Sequence, residues 1–144
     1  MLVSFTSRAL RDAMGMFPTG VAVLTTTSTE GGLHGVTINS FNSVSLDPPL
    51  VLFSLTRSLS DLPAFLSAES YAVNILREDQ RHISARFANQ AEDKWRSIEQ
   101  HAGVTGSPVL HPSLAVLECR HHAHYDGGDH IIFVGKVVHL DKPA

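Results

Sequence analysis

The sequence carries few residues suited to covalent chemistry of its own. Its 144 residues include one cysteine, Cys119, so no disulfide can form within the chain, and a reducing compartment is expected. There is no nucleophile elbow, no Walker loop, no GxGxxG fingerprint and no CxxC pair. Charge is scarce: 17% of residues are charged and the net charge is −3 with neutral histidines, with no basic face of the kind nucleic acid requires. No apolar run approaches the roughly 20 residues that span a bilayer, and the first residues lack the basic-then-apolar pattern of a secretory signal. These absences lead us to expect a cytoplasmic protein without nucleic-acid or membrane partners. If it is an enzyme, a cofactor carries the reaction and the chain positions it.

What is present is a foldable pattern. Hydrophobic residues make up 43% of the chain, enough for one core, and no repeat or linker divides residues 1–144. Leu10, Ala13, Met14 and Phe17 recur at helical spacing, with Ser7 as a candidate cap and Gly15 and Pro18 as the stop. Residues 20–29 are rich in β-branched side chains and run into Glu30-Gly31-Gly32, which predicts a hairpin returning through residues 33–38. Two more strands, 43–46 and 50–55, flank Asp47-Pro48-Pro49, a turn by necessity because proline removes ladder donors. A helix capped by Ser60, a strand over 71–76 and a helix carrying Ile83 and Phe87 on one face follow. Residues 88–112 show little pattern and are expected to be loop around Trp95, while two long strands joined by Asp126-Gly127-Gly128-Asp129 finish the chain. About seven strands and three short helices, without βαβ alternation, predict a mainly β fold, a small antiparallel barrel.

Three polar stretches carry the candidate chemistry. Thr37, Asn39, Ser40, Asn42, Ser43 and Ser45 set small donors and acceptors beside strands, as the pyrimidine edge of a flavin needs and as a plain polar strand edge also shows. Arg57, Ser58 and Ser60 precede a helix start, where free N–H groups favour an anion; Ser60 equally fits a simple cap and Arg57 a solvated side chain. In residues 120–130, four histidines and two aspartates crowd together. Strict alternation would place His122 and His124 on one face and His121 on the other, an arrangement open to a divalent ion or to ordinary solvated imidazoles. Cys119 reads as a core or interface thiol, and Trp95 as an aromatic anchoring a loop.

In order along the chain, residues 17–26 (FPTGVAVLTT) and 35–55 (GVTINSFNSVSLDPPLVLFSL), then SLSDLPAF, YAVNIL, Gln80 with ISARFA, Asp93-Lys94-Trp95, GSPVL, LECR and GGDHIIFVGKV, resemble the flavin reductase-like family. These are the short-chain reductase components of two-component flavin monooxygenases. The resemblance covers nearly the whole chain and implies a split β-barrel of the FMN-binding type that forms a homodimer. It implies NAD(P)H-dependent reduction of FMN or FAD, using NADH or NADPH, with reduced flavin passed to a separate oxygenase. A non-catalytic flavin carrier, store or sensor is the alternative. Carried over by position, Thr37, Asn39, Ser40 and Phe41 line the isoalloxazine, partly through backbone groups. Ser54, Arg57, Ser58 and Ser60 lie near the ribityl chain and phosphate, completed by Arg86 and Phe87. Asp129 and His130 of the GDH motif meet the nicotinamide nucleotide. No side chain is expected to act as a catalytic acid or base, and no metal is assigned. Family members commonly continue into a further strand with an aromatic–Arg–Gly segment, which residues 141–144 do not supply.

Overall fold

The computed structural model describes residues 4–17, 20–89 and 93–142. Strands β1 (Ala22–Thr27), β2 (Leu33–Ile38), β3 (Asn42–Leu46), β4 (Pro49–Thr56), β5 (Ser70–Ile75), β8 (Ala115–Gly127) and β9 (His130–Asp141) form one antiparallel sheet in the order β2-β1-β5-β8-β9-β4-β3. The sheet curls until the end of β2 meets β4, giving the split barrel. Alternation supplies its interior: Val51, Phe53 and Leu55 of β4, Tyr71 and Val73 of β5, and Ile131 and Phe133 of β9 are all buried. Phe53 stacks on Phe133 at 5.2 Å and meets Tyr71 edge-on at 5.1 Å.

β1 is buried on both faces. Ala22 and Leu24 point into the barrel, and Val23 packs outward with Phe87 and Leu110. That outer layer comes from α3 (Arg81–Ala88), preceded by a 3₁₀ turn (Glu78–Gln80), and from a small hairpin of β6 (Gln100–Ala102) and β7 (Pro108–Leu110). The hairpin departs from the loop expected over residues 88–112. Its three-residue strands are too short to show a period, and long-range bonds specify them instead: Asn74 accepts from the Leu110 N–H at 2.9 Å, and Thr25 donates to the Pro108 carbonyl at 2.6 Å. α3 seats directly on the backbone of β2, for a Cβ added at Gly35 would stand 2.8 Å from the Phe87 ring and 3.0 Å from Trp95.

The first helix, α1 (Ser7–Met14), is capped by the Thr6 hydroxyl and not by Ser7, which is its first residue; Pro18 lies outside the described residues. α2 (Leu62–Ser67) begins after Asp61 rather than Ser60. Asp61 makes no capping bond, because its carboxylate is already engaged elsewhere.

The histidine stretch also departs from strict alternation. β8 slips register against β9 between Glu118 and Cys119 and again between His121 and Ala123. The first leaves Val138 of β9 as the extra residue and the second leaves His122 of β8, which shifts the phase of the β8 side chains there. His121 thus meets His124, ring nitrogens 3.2 Å apart, and both rings face Phe133. His121 Nδ1 is buried without a hydrogen-bond partner among the described residues. Burial first, then His124 and His122, lowers the His121 pKa below its ordinary 6.5. Between that depressed folded value and the unfolded one, the unfolded chain binds more protons, so stability rises with pH. The melting temperature is therefore expected to drop as pH falls from about 7.5 to about 5.5, and His121→Phe should flatten that slope. An equally steep slope in the variant would place its source elsewhere.

Candidate active site

Where β2 runs out, the chain crosses to β3 beside the end of β4 and the start of β9. A cleft of about 180 Å³ opens there, lined among others by Thr37, Asn39, Ser40, Ser54, Thr56 and His130. Five residues singled out from the sequence, drawn from three separate segments, thus share one concave wall. His130 arrives because it pairs with Thr56 across the β4–β9 ladder.

The hydroxyls do not all face the cleft. Ser40 Oγ accepts from the Ser54 backbone N–H at 2.9 Å and donates to the Ser54 carbonyl at 3.1 Å, so it imitates a ladder partner and stitches the barrel where the sheet ends. Thr37 Oγ1 donates to the Ser84 carbonyl at 2.6 Å, tying β2 to α3. Both side chains hold the scaffold, leaving backbone groups and the exposed Asn39, which makes no side-chain hydrogen bond among the described residues, to meet a ligand. Phe41 lies half-buried against the barrel core.

At the cleft's far end, Arg57 donates through Nε to the Gly128 carbonyl at 2.7 Å and through Nη2 to the Asp126 carboxylate. Ser58 exchanges a hydroxyl bond with Thr56 at 3.2 Å. Asp129 receives the His130 ring at 2.7 Å; that hydrogen bond, with the charge of His130, holds the Asp129 carboxyl below its usual value. Nδ1 is committed to that carboxylate, which leaves Nε2 as the other ring nitrogen to face the cleft side.

Phe87 and Arg86 serve a neighbouring layer. Phe87 is 1% exposed and meets Trp95 edge-on at 4.8 Å, so its ring is core. Arg86 donates to the Arg96 carbonyl. The 93–98 segment is thereby strapped across β2 and α3, and its strongest tie is one that sequence reasoning missed. Lys94, 8% exposed, reaches Asp61 at 2.7 Å, and His34 binds the other carboxylate oxygen at 2.8 Å. Burial acts to raise the Asp61 pKa, but the hydrogen bonds and charges of Lys94 and His34 outweigh it and the net shift is downward. Cys119 is fully buried, and burial followed by the charge of Glu118 pushes its thiol up to about 12, so it is no nucleophile.

The model of the flavin reductase like domain matches residues 14–144. The chain belongs to the flavin reductase-like family. Within that family it is 46% identical over 132 residues to FMN reductase (NADH) SmoA of Agrobacterium fabrum, covering 92% of this chain and 75% of SmoA. A longer relative is the stachydrine N-demethylase reductase subunit Stc3 of Rhizobium meliloti, 41% identical across 92% of this chain but only 58% of its own length. Among solved structures, the NADH:FAD oxidoreductase SgcE6 of Streptomyces globisporus C-1027, in complex with NAD and FAD fragments, superposes with a TM-score of 0.90 at 35% identity, covering 99% of this chain and 86% of that one. The flavin reductase-like fold seen here is thus the split barrel of those relatives.

Proposed function

We propose that this chain is an NAD(P)H:flavin oxidoreductase that supplies reduced FMN or FAD to a separate oxygenase component. The observation that carries the reading is the gathering of Thr37, Asn39, Ser40, Ser54 and His130 on one cleft at the split of the barrel. The donor set fits a flavin: small polar residues and backbone groups at a sheet end, with no carboxylate among the described residues lining the cleft to repel the negative charge of a reduced ring. Relatives named for the same activity, SmoA with FMN and SgcE6 with FAD, support both flavins as candidates.

A bound flavin would supply the hydride-accepting ring, so the chain's own task would be to align it with the reduced nicotinamide, with no side chain required as acid or base. In our reading, Asn39 and the backbone of residues 37–41 orient the ring. Ser54, Ser58, Ser60 and Arg57 run toward the phosphate end. Asp129 and His130 border the nucleotide side, with Nε2 of His130 turned away from Asp129 as the nitrogen that meets the nucleotide. Phe87 and Arg86 act indirectly, by holding α3 and the 93–98 segment behind β2.

The cleft of one chain, at about 180 Å³, is smaller than the 300 Å³ or more usual for a ligand of this size, which supports completion by a second copy. Apolar residues lie open at the other end of the β4–β9 ladder from the cleft: Leu46 is 93% exposed and Val138 and Leu140 about half. The register Leu46↔Pro49 and Leu50↔Lys136 sets them at one end of the sheet. We read that end as the homodimer face.

Mixing the protein with NADH or NADPH and free flavin, and following absorbance at about 340 nm, tests the activity. Turnover above the uncatalysed rate is expected. Tight flavin binding without oxidation of either nucleotide would instead favour a carrier, store or sensor.

A further inference from the structure

The turn between β8 and β9 is only two residues long. Gly127 pairs with His130 on the ladder, leaving Gly128 and Asp129 at the tip. Gly128 takes φ +78 and Asp129 does not follow it into positive φ, the pattern of a II′ turn with glycine first. The ladder to β4 ends at the same level, at Thr56↔His130. Nothing in either ladder therefore fixes the tip against β4.

Arg57 supplies that restraint. Its backbone N–H donates to the Asp129 carbonyl at 2.9 Å, its Nε to the Gly128 carbonyl at 2.7 Å, and its Nη2 to the Asp126 carboxylate. Asp126 in turn accepts from the Gly128 N–H at 3.3 Å. One residue just past β4 thus grips both turn residues and Asp126 at the end of β8, and the turn carries the Asp129–His130 pair at the edge of the cleft.

We propose that Arg57, anchored by Asp126, is a positioning residue for the nicotinamide nucleotide: it holds the β8–β9 turn on the end of β4 and so sets where His130 stands beside the cleft. The proposal rests on the reading of His130 as a nucleotide contact. It is also compatible with a phosphate role for the same side chain. A guanidinium has five N–H groups, and the two bonds named here leave the others for an anion.

Asp126 separates the two roles, because its removal loosens the turn and leaves the Arg57 charge in place. The experiment compares KM for NADH, kcat and flavin Kd (by fluorescence quenching) in Asp126→Ala, Asp126→Asn and His130→Ala. Both partners are solvent-exposed, with 48% and 79% of their side-chain surface open, so the expected effect of Asp126→Ala is moderate, about fivefold in KM for NADH. kcat and flavin Kd should stay within about twofold, and Asp126→Asn, whose amide oxygen still accepts from Arg57 and from Gly128, should recover most of the nucleotide affinity. An unchanged KM in Asp126→Ala alongside a raised KM in His130→Ala would overturn the clamp and spare the nucleotide reading. An unchanged KM in both would overturn the nucleotide reading itself. Parallel loss of flavin and nucleotide affinity in Asp126→Ala would show a merely structural role and also overturn the clamp.

Discussion

Replacing Asp61 with alanine is expected to cost about 3 kcal/mol of stability, or roughly 10 °C in melting temperature for a domain of this size. The cause is what the substitution leaves behind. Lys94 is 8% exposed, and the Asp61 carboxylate is the group it pairs with, at 2.7 Å. Removing that carboxylate strands an ammonium out of water and deprives His34 of its partner as well. The reverse deletion should be milder. Lys94→Met keeps the volume, and His34 continues to bind Asp61, so less than half the loss is expected. The depressed pKa of Asp61 sets the pH window. The carboxylate's contribution is complete above its unfolded value of 3.8 and disappears as pH drops through the lower folded value. Glu118 follows the same sign: burial opposes its charge, but hydrogen bonds from Thr105 and Val104 and the charge of His139 lower its pKa overall. Thermal melts of the two single variants decide the matter. A melting temperature for Asp61→Ala within about 2 °C of wild type would show that the pair is not essential to stability.

Arg57→Ala should weaken FMN binding about tenfold or more while leaving riboflavin nearly untouched, since only FMN carries a phosphate for a charge-assisted bond. The same variant should raise KM for NADH as Asp126→Ala does, because both release the turn. Titrating each flavin separately distinguishes the two contributions. Equal losses for FMN and riboflavin would place the phosphate away from Arg57 and leave it with the turn alone.

Much of the fold was legible because its determinants are local. The apolar runs at 50–55 and 130–135, the β-branched residues at 22–27 and the Glu30-Gly31-Gly32 and Gly127-Gly128 turns each act within a few residues. The β6–β7 hairpin was not legible, because three-residue strands have no period and their bonds to Thr25 and Asn74 cross 83 and 36 positions of chain. The bulges between β8 and β9 were hidden for a similar reason. An extra residue in one strand is visible only against its partner, so simple alternation put His121 on the wrong side of His124.

The candidate site divides in the same way. The sequence by itself determined a mainly β chain and the short polar segments that a flavin reductase-like barrel brings to its ligand. The tertiary structure decided what each of those side chains touches. The Ser40 hydroxyl closes the barrel on Ser54, the Thr37 hydroxyl holds α3, Phe87 is core, Asp61 serves Lys94 rather than a helix cap, and Arg57 grips the turn that bears His130. The physical reason is range. Backbone preference and hydrophobic period are settled by near neighbours, whereas the partner of a hydroxyl, an ammonium or a guanidinium is chosen by whatever the folded chain brings within about 3 Å.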